Sequence, residues 1–323
     1  EVHAPCIGAL MTMEQPLQHS RITVTGAGGF LGPHAVEALA RKGARVQAII
    51  GPPNEAARIP PGAAYVAQAD ICDADAIRKL IGGADAVVHL AGPASVGASF
   101  QDPSRYLRVH GEGTAALLKA CRAEGVRRLV YVSSAEIYGR PLRSPVREDH
   151  PLSARSPYAA AKIAAEKLIE AQVHAFDLRA VILRPFSVYG PGAAPESLIP
   201  TIIGMARRGL PVVLRDLRPV RDYCFVTDVA EAIANACSLE SRELEIFNIG
   251  TMRGTSVERI AGLILEALAV TCPVREVGER DRPGRSEIHE LIADNGRARD
   301  VLGWRPAVAL DQGLRMTIAG CER

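Results

Sequence analysis

The stretch Arg21–Gly32 reads RITVTGAGGFLG and decides how the following residues fold. It opens with an apolar run typical of a buried strand, and the amphipathic run Phe30–Arg41 predicts a helix. Between them, Gly26, Gly29 and Gly32 follow the spacing GxxGxxG. Such a turn lets a pyrophosphate approach the backbone and meet the free amides at the start of the helix. The stretch therefore predicts a strand–turn–helix unit that binds a dinucleotide.

The same alternation continues as far as Pro185. Apolar runs typical of buried strands are separated by amphipathic, helical stretches. The further strands are expected at Arg45–Ile50, Ala86–Leu90, Arg128–Ser133 and Arg179–Leu183, and the further helices at Ala74–Ile81, Ser104–Ala123 and Tyr158–His174. Continuously apolar strands that alternate with helices are covered on both faces. The pattern therefore predicts an α/β fold with a doubly wound, parallel Rossmann sheet.

After Pro185 the elements become shorter, and Pro and Gly cluster over residues 189–195. Tyr223–Val226 and Ile246–Ile249 resemble strands that rejoin the first unit. We therefore expect a dinucleotide-binding domain of residues 19–185 and 222–251. A smaller C-terminal lobe, residues 186–221 and 252–319, would bind the substrate, and residues 1–18 would form a disordered tail.

Composition excludes several classes of partner. The chain has 323 residues and a net charge of only +2, which argues against nucleic acid or an anionic membrane as the main partner. No apolar run approaches the roughly 20 residues of a membrane helix. The seven cysteines form no CxxC pair, and no His/Cys cluster has zinc spacing. We expect reduced thiols, no metal site and a cytoplasmic protein.

Tyr158 and Lys162 form the pattern YxxxK on a predicted helix, which places both on one face. An ammonium beside the phenol would lower the phenol's pKa and make a phenolate base available near neutral pH. Ser133 and Ser134 end a predicted strand, where ligands gather in such sheets. Ser134 can hydrogen-bond the reacting hydroxyl beside Tyr158.

The residue at the end of the second strand usually contacts the adenosine ribose. An acid at this position favours NAD, and an arginine favours NADP. This chain has Ile49-Ile50-Gly51-Pro52, so neither signal is present. Asp70, which follows the next apolar stretch, either accepts a hydrogen bond from the adenine amino group or caps a helix.

Several motifs together resemble the nucleotide-sugar epimerase/dehydratase family of extended short-chain dehydrogenases/reductases. They are TGAGGFLG (25–32), HLAG (89–92), SSAEIYG (133–139), SPYAAAK (156–162), LRPFSVYGPG (183–192), RDY (221–223), FNIG (247–250) and LGWRP (302–306). The resemblance runs from about residue 21 to residue 319 in the family's order. It implies NAD as the cofactor, with NADP left open, and a nucleoside-diphosphate sugar as the substrate. It also implies a two-fold homodimer formed by the helices Ser104–Ala123 and Tyr158–His174.

The resemblance also implies roles for individual residues. The implied cofactor-binding residues are Gly26, Gly29, Phe30, Leu31, Asp70, Ile71, Leu90, Ala91, Gly92, Ser133, Tyr158, Lys162 and Pro185. The implied catalytic residues are Ser134, Glu136, Tyr158 and Lys162, and the implied substrate-binding residues are Ser134, Ser187, Arg221 and Arg282. The two arginines are expected to clamp a diphosphate. Ser187 and His110 stand where many members have Asn, and we interpret His110 as a structural residue.

The choice of reaction depends on the residues beside the triad. Glu136 stands where many epimerases have Thr or Ala and where dehydratases and decarboxylases resemble this chain in having Glu. Ala135, however, cannot supply the proton that a departing C6 hydroxyl needs. We predict epimerisation at C4 through a transient 4-keto sugar, with dehydration or decarboxylation by Glu136 as the alternative. A dinucleotide-binding regulator without turnover is a third, disfavoured by the presence of both Tyr158 and Lys162.

Overall fold

The computed structural model describes residues 17–52, 58–240, 243–278 and 283–321. Most of the tail expected over residues 1–18 lies outside this range. Leu17, however, is buried in the core, and its N–H donates to the carbonyl of Lys42. The expectation of a disordered tail was therefore wrong at Leu17, because this apolar side chain packs into the hydrophobic core.

The described residues form short strands and helices in alternation. The strands are β1 (Arg21–Thr25), β2 (Arg45–Ile50), β3 (Tyr65–Gln68), β4 (Ala86–His89), β5 (Arg128–Val132), β6 (Arg179–Pro185), β7 (Ser187–Tyr189), β8 (Val212–Leu214), β9 (Val220–Phe225), β10 (Leu244–Ile249), β11 (Gly254–Ser256), β12 (Val274–Glu276) and β13 (Glu290–Leu291). The α-helices are α1 (Gly32–Arg41), α2 (Ala74–Ile81), α3 (Val96–Ser99), α4 (Pro103–Leu107), α5 (Gly113–Glu124), α6 (Pro157–Ala175), α7 (Leu198–Arg207), α8 (Val226–Ser238), α9 (Val257–Leu268), α10 (Gly296–Asp300) and α11 (Leu310–Gly320). None of the helices in the described part of the chain is long and apolar enough to cross a membrane.

The main sheet has seven strands within the described residues, in the order β10-β6-β5-β4-β1-β2-β3, and every neighbouring pair is parallel. One face packs against α1 and α8, and the other packs against α2, α5 and α6. The predicted doubly wound α/β fold is therefore confirmed. Because all strands run the same way, the loops that follow β1, β2, β4, β5 and β6 meet at one edge of the sheet.

One strand assignment was wrong. Strand β10 joins the main sheet beside β6, as predicted for Ile246–Ile249. Strand β9, which contains most of Tyr223–Val226, instead pairs with β7, β11 and β13 in a separate sheet. The apolar pattern predicted a strand correctly but could not indicate its partners, which tertiary packing decides. Helix α8 follows directly and returns the chain to the main sheet.

The predicted long helix Ser104–Ala123 is interrupted. Helices α4 and α5 are joined by a π-helical segment, Arg108–Glu112, with wider turns than an α-helix. The segment contains His110, whose side chain is buried in the wall of a cavity at the carboxyl edge of the main sheet. The sequence indicated one continuous helix because α4, the π-helical segment and α5 follow one another without an intervening loop.

A buried ion pair fixes helix α6 to the main sheet. The guanidinium of Arg184 on β6 donates to both carboxylate oxygens of Glu166 on α6, at 2.7 and 3.1 Å. It also donates to the hydroxyl of Tyr138, which in turn donates to Asn248 on β10. Both charged side chains are only 4% exposed. Each charge therefore depends on the other for compensation.

We predict that Arg184→Met destabilises the fold by about 3–5 kcal/mol, because Glu166 would remain buried without its counter-charge. The double variant Glu166→Gln/Arg184→Met should recover most of that loss. Chemical denaturation followed by circular dichroism measures both changes. Arg315→Met is the matched control, since Arg315 pairs with Asp311 on the exposed face of α11 and should change little. Equal effects of the two single variants would contradict the prediction.

Candidate active site

A cavity of about 690 Å³ opens at the carboxyl edge of the main sheet. Its volume lies in the range of small-molecule and cofactor sites. The loops after β1, β2, β4, β5 and β6 all contribute to its wall. Every residue predicted to bind the cofactor lines this cavity, and so do Ser134, Glu136 and Ser187. Parallel topology thus brings together residues that are far apart in the sequence.

In the glycine turn after β1, the absence of side chains lets backbone segments lie close together. Gly26 has a φ of +69°, and a Cβ placed there would lie 2.6 Å from the backbone of Ala91. A Cβ at Gly32 would lie 2.2 Å from the carbonyl oxygen of Ala27. Helix α1 begins at Gly32, and Leu31, which precedes it, makes no side-chain capping bond. The N–H groups at the start of the helix, except at Pro33, which has none, therefore remain available to an anion in the cavity.

An ionised acceptor, Asp70, lies at the end of the cavity where the sequence predicts the adenosine. Asp70 accepts a hydrogen bond from the N–H of Cys72 at 2.9 Å, and its second oxygen lies 3.3 Å from Arg108. The backbone hydrogen bond, helped by Arg108, holds the pKa of Asp70 below its usual value. Helix α2 is capped by Asp73, whose side chain accepts from the N–H of Ala76. The alternative that Asp70 caps this helix was therefore wrong.

Tyr158 and Lys162 lie in the first turns of α6 and are buried at the cavity. The Lys162 ammonium nitrogen donates to the carbonyl of Val132 at 2.8 Å and lies 5.9 Å from the centre of the Tyr158 ring. Ser134 follows β5 and accepts from the N–H of Glu136 at 3.2 Å. The fold thus gathers the predicted catalytic residues at one point of the cavity wall.

Burial dominates the electrostatics of this group. It raises the pKa of Tyr158 to about 12, against an opposing hydrogen bond from Ser134, and Glu136 raises it further. Burial also lowers the pKa of Lys162 to about 7, which Glu166 opposes. The prediction that Lys162 brings the phenol's pKa below its ordinary value was wrong for this arrangement, because desolvation outweighs every other effect.

Among the described residues, the hydroxyl of Ser133 is buried at the cavity without a hydrogen-bond partner. Buried polar groups normally have one, so an unpaired hydroxyl in a cavity wall suits a polar ligand. The tight glycine turn, the uncapped helix start and the ionised Asp70 suit the pyrophosphate and adenosine of a dinucleotide. The residues present therefore fit this cofactor.

Of the two arginines predicted to bind a diphosphate, the one within the described residues is not at the cavity. Arg221 on β9 does not line it, and its guanidinium lies 3.4 Å from the carboxylate of Glu287. Both side chains are about nine-tenths buried. Arg282 lies outside the described residues. The sequence motif found Arg221, but only tertiary structure brings Glu287 to it.

Some cavity residues were given no ligand-binding role by the sequence. Arg105, Arg108 and His110 line the wall from helix α4 and the π-helical segment, and Val96 lines it from α3. The spacing of Arg105 and Arg108, which places both on one helix face, was a usable signal. Nothing in the sequence indicated that these two arginines line the same cavity as the glycine turn.

Comparison with known proteins agrees with this site. The NAD dependent epimerase/dehydratase family matches residues 22–250. A dTDP-glucose 4,6-dehydratase of Streptomyces griseus is 34% identical over 313 residues, which cover 93% of each chain. A UDP-glucose 4-epimerase of Mycolicibacterium smegmatis is 34% identical over 309 residues, or 92% of this chain and 97% of the relative.

A solved structure extends the likeness to the whole fold. The UDP-glucose 4-epimerase of Stenotrophomonas maltophila, with bound NAD and formylated UDP-arabinopyranose, superposes with a TM-score of 0.87 at 31% identity. The match covers 94% of this chain and 98% of that one. On the sequence motifs, the cavity and these likenesses, the chain belongs to the NAD dependent epimerase/dehydratase family and is an NAD-dependent enzyme.

Proposed function

We propose that this enzyme is a 4-epimerase of a nucleotide-activated sugar, most closely suited to a UDP-sugar. The observation that carries the proposal is the meeting of Ser134, Tyr158 and Lys162 with the glycine turn in one cavity. Relatives named as UDP-glucose 4-epimerases, and a solved one with a UDP-sugar and NAD, support it. Identity alone does not decide the reaction, because the dehydratase relative is equally similar.

The chain's own residues have distinct roles in this proposal. Tyr158 takes the proton from the C4 hydroxyl, while Ser134 hydrogen-bonds the same oxygen and fixes its direction. Lys162 holds the cofactor's ribose and supplies positive charge beside the phenol. When bound, NAD supplies a reversible acceptor for the C4 hydride. Epimerisation would then require the cavity to let the 4-keto sugar present its other face, while Tyr158 would return the proton to the C4 oxygen.

The raised pKa of Tyr158 has a consequence for this mechanism. With a pKa of about 12, the buried phenol keeps its proton at neutral pH. A positive charge near the hydroxyl favours the phenolate and lowers the phenol's pKa. We therefore propose that the base becomes effective only when Lys162 and the bound ligands bring positive charge into the cavity.

Residues 186–221 and 252–319 are proposed to hold the nucleotide-sugar, opposite the dinucleotide-binding residues 19–185 and 222–251. Ser187, at the start of β7, lines the cavity and is available to the sugar. Arg221 and Arg282 are proposed to bind the diphosphate. For Arg221 this requires the phosphates to replace Glu287 as the partner of the guanidinium.

Glu136 supports a second candidate reaction. It is half-buried in the cavity wall and lies near enough to raise the pKa of Tyr158. A carboxylate in this position can take the proton from C5, as dehydration requires. Ala135, its neighbour, is buried and offers no proton for a leaving C6 hydroxyl, and for this reason we favour epimerisation.

We also propose a cytoplasmic homodimer. The cysteines in the described residues are free, which suits a reducing compartment. On the helices expected to face a partner, Leu117 and Leu118 are buried in this chain's own core. Leu168 on α6 and Leu107 on α4 are 38% and 57% exposed, so these outer positions are the better candidates for a two-fold contact.

A panel of nucleotide sugars tests the function. Purified enzyme is incubated with UDP-, dTDP-, GDP- and CDP-sugars, and the products are analysed by mass spectrometry and NMR. We expect inversion at C4 of a UDP-sugar without change of mass, and tighter binding of NAD than of NADP by calorimetry. Loss of water would identify a dehydratase, and loss of carbon dioxide a decarboxylase.

Tyr158→Phe should lower turnover by about 10²–10⁴-fold, the usual contribution of a positioned base. NAD affinity should change little, because the ring remains in the cavity wall. Tyr65→Phe, on the exposed face of β3, is the matched control and should behave like the wild type. Unchanged turnover in Tyr158→Phe would remove the phenol from the mechanism. Specific NAD binding without turnover by the wild type on the panel would favour a regulator.

Glu136→Gln should reduce turnover by less than about tenfold, since C4 chemistry needs only Ser134, Tyr158 and Lys162. The product should carry no solvent deuterium at C5 when the reaction is run in deuterium oxide. Glu258→Gln, at an exposed carboxylate in the first turn of α9, is the control. A loss of about 10²-fold or more, together with deuterium at C5, would favour the dehydratase.

A further inference from the structure

The loop of residues 190–197 forms part of the wall of the cavity. It connects β7 to α7, and its Ala193 and Ser197 line the same space as Gly28 and Gly29 of the glycine turn. The loop and the glycine turn therefore border the cavity from parts of the chain that are far apart in the sequence. A dinucleotide whose pyrophosphate lies at the glycine turn would have this loop beside it.

His34 in the first turn of α1 connects that helix to the loop. Its Nε2 lies 3.1 Å from the carbonyl oxygen of Pro191. A carbonyl can only accept, so Nε2 carries the proton and donates it. The imidazole also packs edge to face against Phe30, with the ring centres 6.3 Å apart, and Phe30 lines the cavity. The helix that follows the glycine turn is thus bonded directly to the loop.

Arg58 makes a second connection, to the next residue of the loop. Its guanidinium donates to the carbonyl of Gly192 at 3.1 Å. Its backbone N–H donates to the carbonyl of Gly28 at 3.2 Å. Gly192 has a φ of +88°, and a Cβ added there would collide with the guanidinium. Arg58 therefore links the glycine turn to the loop through its own backbone and side chain.

The two hydrogen bonds act on consecutive carbonyls of one loop. Within the part of the chain that the structure describes, they are the hydrogen bonds that join residues 190–197 to α1 and to the segment before β3. Other hydrogen bonds of the loop are local, such as that from the N–H of Ala193 to Gly190. Since the bond of Arg58 is exposed and that of His34 is only partly buried, their loss should free the loop without unfolding the domain.

We propose that His34 and Arg58 are positioning residues that hold the 190–197 loop beside the glycine turn and so slow the exchange of NAD. Entry and exit of the dinucleotide require the loop to move away, and each movement breaks these hydrogen bonds. Donors and acceptors all belong to the protein, so the constraint acts with or without cofactor. It therefore slows association and release alike. This role concerns NAD and does not depend on which sugar the enzyme converts.

Two other roles of the same side chains predict different kinetics. If the guanidinium of Arg58 bound the pyrophosphate directly, its removal would speed release, slow association and weaken NAD binding, because an attractive charge is lost. If both residues only stabilised the fold, their removal would lower the melting temperature and leave both rate constants for NAD unchanged. The proposed constraint predicts that both rate constants rise together.

Stopped-flow fluorescence of NADH measures the two rate constants. Enzyme loaded with NADH is mixed with excess NAD to follow release, and cofactor-free enzyme is mixed with NADH to follow association. We expect His34→Ala and Arg58→Gln each to raise both rate constants by about three- to tenfold, the scale of one lost hydrogen bond. Kd should change by less than about threefold. The double variant should exceed either single variant.

Two control variants match these changes. In His34→Gln the side-chain amide can donate to Pro191 from the place of Nε2, so wild-type rate constants should return. Arg208→Gln removes another exposed arginine bonded to a carbonyl, that of Gly204 on α7, and should have no effect. Unchanged rate constants in the double variant would overturn the proposal. Faster release with slower association, or His34→Gln behaving like His34→Ala, would overturn it as well.

Hydrogen–deuterium exchange of the cofactor-free enzyme observes the loop itself. Amides of residues 190–197 should exchange faster in the double variant than in the wild type, because the loop leaves the glycine turn more often. The central strand β5 serves as the internal reference and should exchange at the same rate in both proteins. Equal exchange of the loop in both proteins would contradict the proposal.

Discussion

The ion pair between Arg184 and Glu166 is the constraint on which the site depends. Two charges with almost no solvent contact are stable only together, so helix α6 can dock on β6 in a single register. Tyr158 and Lys162 precede Glu166 on this helix, and all three are buried. The hydrogen bonds from Arg184 through Tyr138 to Asn248 extend the same constraint to β10. The proposed catalytic pair is therefore positioned by charges that do not touch the cavity.

The burial that fixes these residues also sets their chemistry. The low-dielectric surroundings disfavour the phenolate of Tyr158 and the ammonium of Lys162 alike, so burial raises the pKa of the phenol and lowers that of the ammonium. Burial therefore destabilises the charged form of each group, the phenolate of Tyr158 and the ammonium of Lys162. A site of this kind responds strongly to charge and hydrogen bonds that arrive with its ligands. Burial likewise lowers the pKa of His110 to about 2, so its imidazole is neutral.

Reaction type depends on far fewer residues than the fold does. The parallel sheet, the glycine turn and the YxxxK helix suit any reaction that begins with oxidation at C4. In the proposal, the choice between epimerisation and dehydration rests on Glu136 and its neighbour Ala135. A dehydratase and an epimerase are therefore equally similar relatives over nearly the whole chain. One fold can carry both reactions because the chemistry depends on the site and not on the fold as a whole.

The sequence by itself determined the fold class, most of the strands and helices up to Pro185 and the glycine turn, and it led to the proposed triad; it did not predict β3 or α3. These features rest on periodicity and on fixed local spacing, which a single chain displays directly. Tertiary structure alone decided that β9 leaves the main sheet, that Arg221 meets Glu287, and that a π-helical turn brings His110 against Tyr158. Pairing, burial and the resulting pKa values depend on neighbours distant in the sequence, and no local pattern encodes them.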